Sequence, residues 1–293
     1  MRRMLLIVAF AVASMTAGAA ARNWYVWPDG RGSTPTIQAA VDSAASGDYI
    51  YIHTGTYHQG GIVAIGKNLT FAQYDGQVYI ISPSMGSGTC ITVRNAGSFV
   101  IGSFSFRGFE TAIDAEASSG TIQLVTVKAC NRGIAISDAG SSSTIWYCLV
   151  DSCGTGVEVR GGSVTLQNQT IVNCTTGTLF SGGSAIFSRT IVYDCGIGIQ
   201  CSGGSVSSSC NDFYLNGADY SLCTAGANDF YTDPKFCFWK SSGGPYWLHS
   251  TSPCFTGDNP CSATIGAFTG TIPGCTGTAV QRESWGAIKS IYR

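Results

Sequence analysis

Charge is scarce in this 293-residue chain, with 11% Asp, Glu, Lys and Arg against about 25% in ordinary globular proteins, so the places where it gathers stand out. Asp114 and Glu116 are two residues apart, and Glu158 and Arg160 repeat that spacing further along. Alternate residues of a strand share a face. If Ile113, Ala115, Val157 and Val159 point into a core, these four charged side chains project outward together, with Lys128, Arg132 and Asp151 near them. Carboxylates beside a guanidinium support several chemistries. Acid-base cleavage of glycosides is not among them, since it needs two carboxyls at a set separation and finds no obvious pair here. A base beside a cation, or a calcium ion, eliminates across a uronic acid whose carboxylate has been neutralised. The same groups also hold hydroxylated ligands without reacting. Asp114, Glu116, Glu158 and Arg160 are therefore the catalytic candidates, set against a plain solvated face in which Arg160 pairs weakly with a carboxylate. His53 and His58 flank Tyr57 and form a lesser candidate for proton transfer, set against turn residues near a chain end. His249 reads as structural.

The elements that would position these groups are written as a repeat. Cys130, Cys153, Cys174 and Cys195 follow one another at 23, 21 and 21 residues, and Gly133, Gly156, Gly177 and Gly198 each stand three places on. After each Gly the pattern alternates: Ile134 and Ile136, Val157 and Val159, Thr178 and Phe180, Ile199 and Cys201 share one side, as in a short strand with one buried face. Gly161-Gly162, Gly182-Gly183 and Gly203-Gly204 then mark tight turns. Such a unit cannot close a core alone, but stacked on its neighbours it can. The expected fold is all-β: a single-stranded parallel β-helix of about eight to nine coils, with strands ~4.8 Å apart. Gly is expected where the backbone needs positive φ or close approach, and Cys as a small buried filler at a corner. On this reading Asp114 and Glu158 lie two rungs apart, roughly 10 Å.

Before the coils, Ile37, Ala40, Val41 and Ala44 fall at helical spacing behind Thr34 and Thr36, and Gly47 follows. They predict a short capping helix over an open coil end. Arg2 and Arg3, an apolar run and small residues give residues 1–21 the layout of a secretory signal peptide. The remaining expected divisions are a cap at 22–48, the helix at 49–232, a closing segment at 233–275, and a linker and tail at 276–293. The formal balance of -1 supports neither a nucleic-acid groove nor an acidic-membrane patch. No run is long enough for a transmembrane segment in the mature chain, and a monomer is expected.

Thirteen cysteines suit an oxidising compartment. Cys237, Cys254, Cys261 and Cys275 lie in the aperiodic closing segment, where crosslinks help most, and Cys237 to Cys254 with Cys261 to Cys275 is the preferred of three pairings. In the column at 130, 153, 174 and 195, rung spacing allows disulfides while buried thiols fill the same space; the thiol reading is preferred. Zinc has little support without a C-x-x-C pair. Phe238, Trp239, Tyr246 and Trp247 are expected to cover the open C-terminal end, with stacking on sugars the competing role.

The stretch "PTIQAAVDSAASGDYIYIHTGTY" at 35–57 resembles the opening of right-handed parallel β-helix proteins of the pectin-lyase-like superfamily, departing from it at Tyr51 and His53. "DPKFC", "SPC" and "IGAF" resemble the closing segment of its secreted bacterial members. The resemblance implies this fold and, less directly because one fold hosts many functions, a carbohydrate-related role. The N-x-D, D-D, G-H-G and R-x-K motifs of its polygalacturonase-like hydrolases are missing. The first functional expectation is an exported β-helix that binds polysaccharide or another surface polymer along one face without catalysis and without a cofactor. Polysaccharide lyase action at the four charged residues, with calcium, is the alternative, and a structural or adhesive shaft the third.

Overall fold

The computed structural model describes residues 20–137, 140, 142–237 and 246–267. A repeat of about twenty-one residues has room for three short strands and three bends, and the chain uses it so. The result is an all-β parallel solenoid of about eight turns, whose strands form three sheets. The first sheet has nine strands, from Asn23–Val26 to Ser205–Ser209; the second has eight, from Gly55–Tyr57 to Asp212–Tyr214; the third has eight, from Ile62–Ile65 to Ala218–Ser221. Within each sheet, every strand pairs in parallel with the equivalent strand of the next coil. Ile113, Ile134, Val157, Thr178 and Ile199 lie in one register file, and Ala115, Ile136, Val159, Phe180 and Cys201 in a second. Both files are buried.

The recurring residues have separate geometric tasks. A Cβ on Gly133, Gly156 or Gly177 would stand 2.3, 2.5 or 2.6 Å from the carbonyl oxygen of the next glycine in the file. Close approach of backbone to backbone therefore requires glycine there, and no positive φ is involved. The positive φ belongs elsewhere. Between the first and second sheets the chain turns on a single left-handed residue, Leu124, Tyr147, Asn168 or Arg189; between the second and third it turns on Ala129, Ser152, Asn173 or Asp194. The expectation of glycine at close approach thus holds, while that of glycine at positive φ fails at these corners. The N–H groups of Leu124, Tyr147, Asn168, Ala129, Ser152, Asn173 and Asp194 each donate to a carbonyl one coil on, as Ala129 does to Asp151 and Ser152 to Val172, which offsets the strain of the left-handed conformation. Among the glycine pairs, Gly162 and Gly183 do have positive φ.

Cys130, Cys153, Cys174 and Cys195 follow the second set of corners and stay as buried free thiols. Each turns its sulfur toward the carbonyl two residues back, at 3.3 to 3.6 Å. Hydrogen bonding along the column and burial push the Cys130 thiol far up, and burial raises Cys148, at a different corner, to about 12.

The capping helix α1 spans Ile37–Ser43, with the Thr36 hydroxyl accepting the Ala39 N–H at 3.1 Å. It stops at Ala44, short of Gly47. Ile37, Ala40, Val41 and Ala44 are all buried. Gln38 also seals an edge: its amide accepts from the Val63 N–H and donates to the Val63 carbonyl, so the first strand of the third sheet is not left open to another chain.

At the other end the closing segment departs from expectation. It runs along the outside of the second sheet, where Phe236, Tyr246, Leu248, Cys254 and Ile265 pack on Leu149, Val172, Ile191 and Tyr193. Those strands are consequently buried on both faces. Tyr246 packs edge-on against Phe236, so it belongs to this second core; Phe238 and Trp239 lie outside the described residues. The disulfides differ too. Cys201 bonds to Cys223, and Cys210 to Cys261. Cys254 is a buried free thiol, Cys237 is disulfide-bonded, and Cys275 lies outside the described residues. Both preferred pairings therefore fail: Cys254 is enclosed beside Asp212, 3.1 Å away, and Cys261 is brought to a corner of the shaft. The signal-like residues 1–19 and the tail also lie outside the described residues. Among the described residues no helix is long and apolar enough to cross a membrane.

Candidate functional site

The four predicted residues come together on the outward face of the third sheet. The strand Thr111–Glu116 carries Asp114 and Glu116 on the side opposite Ile113 and Ala115, and Thr155–Val159 carries Glu158 opposite Val157 and Val159. The strand Arg132–Ser137 lies between them, placing Ala135 level with both Asp114 and Glu158. Ala135 faces outward yet is 1% exposed, so the charged side chains around it close over it.

Three arginines organise the patch. Arg160 donates to Glu158 at 2.6 Å. Arg132 reaches from Glu110, at 3.7 Å, to Glu158, at 3.8 Å, and its Nε donates to the Thr111 hydroxyl. Arg94 holds Glu116 through two nitrogens, at 2.5 and 2.9 Å. Arg94 and Glu110 are additions to the predicted set. The first could have been found from its place one coil before Glu116, twenty-two residues back. Lys128 and Asp151 are not part of the patch; they pair at 3.4 Å on the second sheet, where Asn173 also donates to Asp151.

Asp114 is the group without a cation of its own. Burial, the adjacent negative Glu116 and a hydrogen bond to Glu116 raise its carboxyl to about 6, with Arg160 and Arg132 pulling the other way. Glu116, bonded to Arg94, is held below the usual carboxylate range. Two hydrogen-bonded carboxyls share a proton, and these environments favour Asp114 over Glu116 as its site. With that proton in place, Glu110, Glu116 and Glu158 balance Arg94, Arg132 and Arg160. Asp114 Oδ1 is buried and has no hydrogen-bond partner.

This arrangement limits the chemistry. Each guanidinium is committed to a carboxylate, so none stands ready to neutralise a uronic acid. The same commitments make the carboxylates a poor donor set for calcium, which takes six to eight oxygens. Among the described residues no group of three or more His, Cys, Asp or Glu side chains is arranged to hold a metal ion. Tyr57 is also removed from acid-base work: its buried hydroxyl lies 3.0 and 2.9 Å from the carbonyls of Val26 and His53, and burial pushes it well above the ordinary phenol range.

A feature that sequence reasoning missed lies on the first sheet, at the start of the shaft. Tyr25, Trp27, Tyr49, Tyr51 and Tyr74 form a connected group of rings around His53. The alternation in "YIYI", with Ile50 and Ile52 inside, placed Tyr49 and Tyr51 outside; the other rings arrive from separate strands and turns.

No protein-family model and no curated protein matches this chain.

Proposed function

We propose that the protein is an exported β-solenoid, similar to the pectin-lyase-like group, that holds a neutral or weakly charged polysaccharide against its third sheet without cleaving it. The observation that carries this reading is the mutual pairing of Arg94, Arg132, Arg160, Glu110, Glu116 and Glu158. Side chains fixed by one another keep their remaining donor and acceptor edges in place, so a hydroxylated chain meets them without the cost of ordering long flexible groups. Parallel strands repeat such edges at ~4.8 Å along the shaft, and an extended polymer can span several rungs. The disulfides Cys201 to Cys223 and Cys210 to Cys261 suit an oxidising destination.

Lyase action remains the second reading because Asp114 carries a raised carboxyl inside the same patch. Affinity electrophoresis over neutral and uronic polysaccharides, with absorbance of unsaturated products followed with and without calcium, separates the two. Retention by a polysaccharide, lost in Arg132→Ala/Arg160→Ala and unaccompanied by product, is the expected result. Unsaturated product that disappears in Asp114→Asn would replace binding by elimination, and retention by nothing would leave a structural shaft.

A further inference from the structure

Away from the charged patch, the first coils carry a terrace of aromatic rings. Tyr25 and Tyr51 are register partners on adjacent strands and stack at 5.6 Å with planes 20° apart; Tyr49 extends the stack, 5.9 Å from Tyr51. Tyr74 stands nearly at right angles to Tyr25, at 5.2 Å, and steeply to Tyr51, at 5.8 Å. Although it touches both, Tyr74 is 54% exposed, and Tyr49 is 39% exposed. In the file that begins with Tyr25 and Tyr51, the next two positions are Ala72 and Gly102. The sheet surface thus steps down beside the rings.

His53 lies behind them. Its ring stacks on Trp27 at 3.6 Å and lies 4.4 Å from Tyr74, with the side chain 8% exposed. Nδ1 is 2.8 Å from the Asp75 carboxylate, and Asp75 also accepts the Thr54 N–H. The Thr54 N–H and the His53 hydrogen bond together hold Asp75 below the usual carboxylate range. An ionised carboxylate can only accept, so Nδ1 carries the proton, and in the neutral ring Nε2 is a bare acceptor. That Nε2 is buried and has no partner. An unpaired buried acceptor costs about 1–3 kcal/mol, and proteins retain few of them.

We infer that this terrace is a carbohydrate site separate from the third-sheet face, and that it takes the ring of a neutral hexopyranose, with His53 Nε2 accepting one of its hydroxyls. A pyranose presents a C–H face to aromatic rings and a rim of hydroxyls to whatever polar groups border them, and this terrace supplies both in one place. Charge at its border is already committed: Asp75 to His53 and Thr54, and Asp29 to Arg31. A charged sugar would therefore find no counter-ion there. Tyr74, the most exposed of the rings, is the side chain that turns aside to bring a hydroxyl to Nε2.

The probes are cellohexaose, maltohexaose and mannohexaose, titrated calorimetrically into the full chain. At least one is expected to bind, with about a tenfold loss in Tyr74→Ala. In His53→Phe, which keeps the ring stack and deletes the acceptor, a two- to tenfold loss is expected. Circular dichroism checks that each variant is folded. Arg132→Ala/Arg160→Ala is expected to leave this binding unchanged, so failure of the third-sheet reading and failure of this one are distinguishable. No binding of any hexaose at millimolar concentration overturns the inference. So does binding that survives Tyr74→Ala and is lost in the arginine variant. Tyr74-dependent binding of a proline-rich peptide in place of the hexaoses would assign the terrace to another occupant and also overturn it.

Discussion

Replacing Asp212 with Asn should abolish most of the pH dependence with which the closing segment stays docked. Asp212 is fully buried under that segment. One carboxyl oxygen accepts the Thr232 N–H at 3.0 Å, and the other faces the Cys254 thiol at 3.1 Å. Burial raises the carboxyl from 3.8 to about 7, and Asp219 and Asp233 push the same way. The folded state therefore retains a proton that the unfolded chain releases near pH 4. Stability from this group is whole below about pH 4, drains as the pH rises, and is gone above about pH 7. A shift of about three units at 1.36 kcal/mol each corresponds to about 4 kcal/mol across that window. In Asp212→Asn the amide oxygen still accepts from Thr232 while nothing ionises, so the slope should vanish. Thiol labelling of Cys254, located by mass spectrometry, reports opening of the segment directly. The wild type should label faster at pH 7.5 than at pH 5 after correction for reagent chemistry, and Asp212→Asn should show little difference. A wild type with no corrected pH dependence, or a variant that keeps it, would refute the argument that this carboxyl is neutral when docked.

Two further predictions concern the coil interior. Thr178 is fully buried between Val157 and Ile199 in its file, and its hydroxyl has no partner; Thr178→Val should stabilise by about 1 kcal/mol and raise the midpoint by a few degrees in calorimetry. Gly177→Ala places a methyl 2.6 Å from the Gly198 oxygen and should cost about 1–3 kcal/mol or more, whereas Gly97→Ala, which meets only the Asn68 amide at 3.5 Å, should change the midpoint little.

The coil was legible because a stacked fold repeats its demands. Every layer needs a small residue at the same close approach and apolar residues in the same files, so Gly133 to Gly198 and Ile134 to Ile199 wrote the register into the chain. The same register placed Asp114 and Glu158 two rungs apart. What it could not supply is the path of residues 233–237 and 246–267, whose packing partners are chosen by shape and have no period. That is why Cys261 meets Cys210, fifty-one residues away, against the expectation of a local pairing. Cys201 and Cys223 did leave a trace, for their separation of 22 is one coil. The left-handed corners were hidden for a different reason: Leu124 and Tyr147 are poor indicators of positive φ, and the cross-coil hydrogen bonds make that conformation tolerable. The pairing of Arg94 with Glu116 was likewise a matter of side-chain reach across a rung, which a strand pattern does not specify.

The closing segment has a mechanical consequence. Stacked coils hold only their immediate neighbours and so peel from an end one at a time. Here Asn168 donates to the Thr264 carbonyl, Arg189 accepts from Gly266, and Asp212 meets Cys254, so one strap crosses several successive layers and rivets them into a block. Among the described residues the opposite end has its helix and its terrace but no comparable tie. Pulled or heated, the rod is asymmetric, and it should begin to unravel at the end that bears the rings.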